Sequence, residues 1–183
     1  MQKENSNGKQ EMSFRKIKEE LARQWSEARH CQIAELAAII SMCGKVSIDS
    51  RENYSIKVRT ENVSVARKYF TLLKKTFNID TENSVARNKS NGSIYYTVII
   101  KKHENAIKVL QATKLMDGAG EISEEFSVSR NCLLQQSCCK RAFIRGAFFR
   151  SRLHEQSGER IPFGDRMHVR KESGTTAIGN ACI

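Results

Sequence analysis

Apolar positions along the chain recur with two different periods. Ile17, Leu21 and Trp25 fall four apart and predict a helix over 13–28 with a single apolar stripe, capped by Ser13. Residues 31–43 are apolar on most faces and predict a second helix. Gly44 closes it, as a residue that tolerates a left-handed helix end. Residues 46–48 and 54–60 then alternate instead. Tyr54, Ile56 and Val58 fall on one face of the second strand, and Ser55, Lys57 and Arg59 on the other. The polar residues 49–53 make the turn between them. Helical spacing returns over 62–77 with Val63, Ala66, Phe70, Leu73 and Phe77, and Asn62 or Thr60 is placed to cap it. Two more strands, 82–89 and 93–101, flank Ser90-Asn91-Gly92, a hairpin turn in which Asn and Gly accept positive φ. A fourth helix over 104–116 carries Ala106, Val109, Leu110 and Leu115 inward, and a fifth runs from about 131 to 149. The order α-α-ββ-α-ββ-α plus one helix predicts an α+β fold, with antiparallel hairpins covered by helices on one side.

Two of the helices repeat. Residues 30–38 can be laid on 138–146, so that Cys31 meets Cys139, Ala34 meets Ala142, Leu36 meets Ile144 and Ala38 meets Gly146. Small residues four apart let two helix backbones approach closely, so Ala34, Ala38, Ala142 and Gly146 are the expected helix-helix interface. A pseudo-twofold pair of helices and a chance match of small residues stand level on this evidence.

Charge adds a partner class. The chain of 183 residues carries 31 Lys and Arg against 20 Asp and Glu, a formal net charge of +11, which favours a polyanion such as nucleic acid. No apolar run is long enough for a membrane span, and residues 1–11 are polar without the apolar stretch of a signal peptide. A cytoplasmic location, with association to the nucleoid, is the expectation. The six cysteines form no Cys-x-x-Cys pair, and no His-x-x-x-His lies near them. Zinc is therefore not expected, and buried free thiols are. Cys138-Cys139 beside Lys140 and Arg141 fits a packed helix start better than a reactive thiol. The histidines are scattered, no glycine-rich phosphate loop occurs, and no catalytic constellation or cofactor site emerges.

Residues 36–46 resemble a LAGLIDADG motif running into its first strand, and the element order after them is that of the LAGLIDADG homing-endonuclease-like repeat. Met12-Ser13-Phe14, Ala34-Glu35-Leu36-Ala37-Ala38, Thr60-Glu61-Asn62 before Ala66-Arg67, and above all the run from Cys138 to Phe148 make the chain similar to the WhiA family. The resemblance covers residues 12–149. It implies a DNA-binding transcription regulator acting in sporulation, cell division or chromosome segregation, with DNA and protein partners in transcription. The family's C-terminal helix-turn-helix has no counterpart here. The alternative is a protein-interaction module that does not bind DNA.

The same resemblance bears on chemistry. LAGLIDADG nucleases place a carboxylate at the end of each motif helix to hold a divalent metal at the scissile phosphate. Those positions fall on Ser41 and Cys43, and on Phe149 and Ser151, none of them acidic, so nuclease activity is not expected. Glu35 precedes the motif and is expected to be structural or on the surface. In the LAGLIDADG superfamily the sheets form a saddle on DNA, so the resemblance makes Lys57, Arg59, Arg87, Lys89 and Lys101 the candidate DNA contacts, against a plain solvated face. Lys68, Lys74 and Lys75 are expected as solvated helix surface.

Four segments result. Residues 1–11 are expected as a disordered extension, 12–129 as the first repeat with its leading helix, and 130–149 as the first helix of an incomplete second repeat. Residues 150–183 depart from the family pattern. The genetic code permits a family-like continuation in another frame from near codon 150, so a one-base insertion is the expectation there, with a disordered extension as the alternative.

Overall fold

The computed structural model describes residues 3–90, 92–122, 132–150 and 168–171; for 3–11, 132 and 168–171 it describes backbone only. The elements are α1 (Lys3–Arg23), α2 (Arg29–Cys43), β1 (Gly44–Ile48), β2 (Tyr54–Thr60), α3 (Val63–Phe77), β3 (Glu82–Arg87), β4 (Ile94–Ile100), α4 (His103–Ala112), a 3-10 turn (Cys132–Leu134), α5 (Ser137–Phe148) and β5 (His168–Lys171). From α2 to α4 this is the α-ββ-α-ββ-α order that the hydrophobic pattern predicts.

The sheet runs β3-β4-β2-β1-β5. β2 pairs antiparallel with β1 and β4, and β3 with β4, whereas β5 lies parallel to β1. Ile56, Val58, Val98 and Ile100 point to the helix side and pack with Leu36, Ile39, Ile40, Tyr69, Leu72, Leu73, Val109 and Leu110 in one core. The period-two alternation of β2 is thus converted directly into one buried and one open face.

Several local expectations change. α1 begins at Lys3, so the helix runs through residues 3–11, the segment set apart above as a disordered extension. The stripe assigned to it is half open: Ile17 is 39% and Trp25 42% exposed, and Trp25 lies beyond the helix. Asn62 caps α3, its Oδ1 accepting from Ser64 N (2.8 Å) and Val65 N (3.3 Å). Phe70, assigned to the buried stripe of α3, is 37% exposed; Tyr69 and Leu72 fill the core instead. Gly44 is extended (φ −85°), not left-handed. Glycine is needed there because a Cβ would run into the Ile40 carbonyl oxygen. Gly92 does take positive φ (71°), as the hairpin requires. The fifth helix is shorter than expected at its start, with the 3-10 turn ahead of it. Of the segment 150–183, residues 168–171 add a strand to the otherwise open edge of β1. The rest of that segment beyond Arg150, with its frame-shift expectation, lies outside the described residues, as does Ser151.

Candidate nucleic-acid interface and helix seam

Register decides which cations share the open face of the sheet. Lys45 is opposite Lys57, Lys57 opposite Ile99, and Ile99 opposite Glu82; the next row holds Arg59, Thr97 and Ser84. Lys57 and Arg59 are exposed and Lys45 is half-buried. The Arg59 guanidinium lies over the Tyr95 ring, 3.8 Å from its centre, in a cation–π contact. Lys101 follows β4 on the same side and pairs with Glu82 at 2.8 Å. Arg87 does not join them. It stands opposite Ile94, on the helix-side parity of the sheet, and its Nε donates to Gly92 O (3.3 Å). Lys89 lies in the turn beyond β3. Of the five expected contacts, Lys57, Arg59 and Lys101 therefore share a face and Arg87 and Lys89 do not. Lys45 belongs with the set, and only strand pairing reveals it.

The second feature is the seam between α2 and α5. Ala34, Ala38 and Ala142 are buried there with Cys31, Leu134, Cys139 and Phe143. A Cβ on Gly146 would stand 2.6 Å from Glu35 O and 2.9 Å from the Ala38 Cβ, so the two backbones meet as closely as small residues allow. Phe14 of α1 stacks on Phe148 of α5 at 6.0 Å, tying the leading helix to the same unit.

A buried ion cluster crosses this seam. Glu35 is fully buried and takes two hydrogen bonds from Arg145, from Nε (2.9 Å) and Nη2 (2.7 Å). Arg145 Nη2 also donates to Ser26 Oγ at 3.0 Å. Lys68 of α3 lies 3.4 Å from Glu35 Oε1, donates to Gln24 O, and sits 3.8 Å above the Trp25 ring. Lys68 is 1% exposed, which overturns its assignment to solvated surface. Lys74 and Lys75 are exposed, as expected; Lys74 pairs with Asp80 at 2.8 Å. Burial holds the Lys68 ammonium below its ordinary pKa, with Glu35 opposing that shift. Arg145 is pushed up by its hydrogen bonds to Glu35. A carboxylate in a helix seam survives burial only with such partners, and their positions in the sequence, 33 and 110 residues away, gave no sign of the contact.

Three of the six cysteines gather at the N-terminal ends of the same two helices. His30 and Cys31 on α2 and Cys138 and Cys139 on α5 bring four donor atoms within 4.8 Å of one another. Cys138 Sγ lies 3.6 Å from His30 Nε2 and 3.4 Å from Gln136 Oε1. The hydrogen bond to His30 lowers the Cys138 thiol to about 7, whereas burial pushes Cys31 up to about 12. Zinc spacing motifs describe donors within one short stretch of chain. The fold collects them from two helices, where spacing rules do not reach.

The WhiA N-terminal LAGLIDADG-like domain matches residues 29–116. A probable cell division protein WhiA of Lachnoclostridium phytofermentans is 46% identical over 139 residues, covering 75% of this chain and 44% of that protein. One from Desulforamulus reducens is 38% identical over 139 residues, covering 75% of this chain and 42% of that protein. The chain thus spans less than half the length of these curated relatives. The crystal structure of the N-terminal LAGLIDADG domain of DUF199/WhiA is similar at 20% identity and a TM-score of 0.47, over 74% of this chain and 56% of that one. Through its N-terminal part the chain is a homologue of WhiA, and residues 29–116 form a WhiA N-terminal LAGLIDADG-like domain.

Proposed function

We propose that this chain contributes a DNA-binding, catalytically silent LAGLIDADG-like unit to a WhiA-type transcription regulator of cell division or sporulation. The observation that carries the reading is the open sheet face, where Lys45, Lys57 and Arg59 stand in adjacent rows with Tyr95 beneath the arginine. Such a face matches phosphates with its cations, and the arginine fork can reach a base edge. The net charge of +11 acts in the same direction at longer range.

Silence as a nuclease rests on the motif positions. Ser41 is buried and its hydroxyl donates to Ala38 O at 3.1 Å, and Phe149 is 3% exposed. Neither these nor Cys43 offers the hard anionic oxygen that magnesium takes. The nearby carboxylate of Glu35 is held by Arg145 and Lys68.

The test is a titration of the full chain into duplex DNA over a range of salt, with magnesium present. Binding that weakens steeply as salt rises, with the DNA left uncut, is expected. Absence of salt-sensitive binding would favour the second reading, a protein-interaction module. One observation supports that alternative: β3 is exposed along its whole length at the sheet edge, with its own Val85 66% exposed and Ile94 of the neighbouring β4 46% exposed. An edge of this kind accepts an added strand.

A further inference from the structure

We propose that His30, Cys31, Cys138 and Cys139 form a tetrahedral zinc site that clamps the N-terminal ends of α2 and α5. Three geometric facts carry this. The four donor atoms all lie within 4.8 Å of one another. Around a tetrahedral zinc, donors with bonds of about 2.0–2.3 Å stand roughly 3.5–3.8 Å apart, so the cluster closes on the ion by about 1 Å at its widest pair. The Cys138 Sγ to His30 Nε2 separation, 3.6 Å, already has that value.

The second fact is symmetry. When the two helices are aligned by their repeat, His30 corresponds to Cys138 and Cys31 to Cys139. Each helix therefore supplies two donors from the second and third positions of its first turn, since α2 begins at Arg29 and α5 at Ser137. Cys31 and Cys139 form the buried inner pair, with His30 and Cys138 toward solvent.

The third fact is the state of the helix ends. Neither α2 nor α5 has a side-chain cap: Ala28 offers none, and Gln136 makes no capping bond. Two uncapped N-termini converge on one cluster, and their partial positive charge favours thiolates. Three thiolates and an imidazole are a borderline-soft donor set, which selects zinc over magnesium or calcium. On binding, the thiols lose their protons to solvent and the ion joins two helices that are 108 residues apart in the chain (His30 to Cys138).

The test uses the full chain, made in zinc-supplemented medium and purified without chelator. About one zinc per chain is expected by elemental analysis. Cobalt exchanged into the site should give tetrahedral visible bands and thiolate-to-cobalt charge transfer in the near ultraviolet. His30→Cys keeps a complete donor set and should retain metal. His30→Ala and Cys138→Ser, on the solvent side, should lose the charge-transfer intensity of a full site. They should also lose more affinity than the roughly 10- to 100-fold that an outer-shell partner is worth. Cys43→Ser, outside the cluster, should bind as the parent does. If Cys31→Ser fails to fold, the two solvent-side variants still decide. A folded parent chain without stoichiometric metal overturns the proposal. So does a metal-free Cys31–Cys139 disulfide, or metal binding that His30→Ala and Cys138→Ser leave unchanged.

Discussion

The sheet unit and the α2–α5 seam are held by different chemistry. Between the sheet and helices α2, α3 and α4, large aliphatic side chains fill the space: Ile39, Ile40, Ile56, Leu72, Leu73, Ile100 and Leu110 are all fully buried. Along the seam the buried residues are mostly small or contain sulfur, and the spaces beside them hold Glu35, Lys68 and Arg145. Burial of apolar area stabilises the first region, roughly in proportion to that area, and tolerates many rearrangements. The second depends on close backbone approach and on complete pairing of charges, where each missing partner leaves a desolvated group behind. The sheet unit is thus a packed core, and the seam is a fitted joint.

Breaking the joint should have the largest single effect. Glu35→Leu strands Lys68 and Arg145 and should destabilise the chain by about 3–5 kcal/mol, read from urea unfolding. Replacing Lys68 and Arg145 by methionine in that background should recover much of the loss, because no unpaired charge then remains. A core deletion in the sheet unit, Leu72→Ala, should cost about 2–5 kcal/mol, and no second charge-removing change should rescue it. Gly146→Ala sharpens the contrast through its sign. In an open helix that change stabilises by about 0.5–1 kcal/mol. Against Glu35 O at 2.6 Å it should destabilise, by about 1–3 kcal/mol in the same assay.

The smallest effect belongs to the β1–β2 turn. Hydrogen bonds from the Asn53 side chain, then from the Asn53 backbone, hold the Asp49 carboxyl below 3.8, its ordinary value. The folded pKa is lower than the unfolded one, so this stabilisation is present above 3.8 and is lost as pH falls through the folded value. Asp49→Asn should lower the neutral plateau of a stability-against-pH curve slightly and flatten its acid limb, because the pH-dependent contribution is then absent throughout.

Legibility followed the same divide. The alternation of Tyr54, Ile56 and Val58, the Asn-Gly turn and the Asn62 cap are local signals, and the sheet unit was readable from them. The motif likeness in α2 and α5 pointed to the seam, and its small residues do lie at the close approach. What sequence did not disclose was pairing across distance. Lys68 looks like any lysine of an amphipathic helix until Trp25 and Glu35 close over it. Arg87 and Lys57 look alike until strand register puts them on opposite faces. His30 and Cys138 belong to no spacing motif, because their proximity is made by two helices meeting.

On the proposed function, the open sheet face, set by strand register, is the surface that meets DNA. The most direct measurement compares the dependence of DNA affinity on salt for the full chain, for Lys57→Ala/Arg59→Ala, and for Arg87→Ala. Loss of two phosphate contacts should reduce the slope of log affinity against log salt by about 1.8, whereas Arg87→Ala should leave it unchanged. A slope that ignores the Lys57 and Arg59 substitutions, or that responds equally to Arg87, would contradict the account.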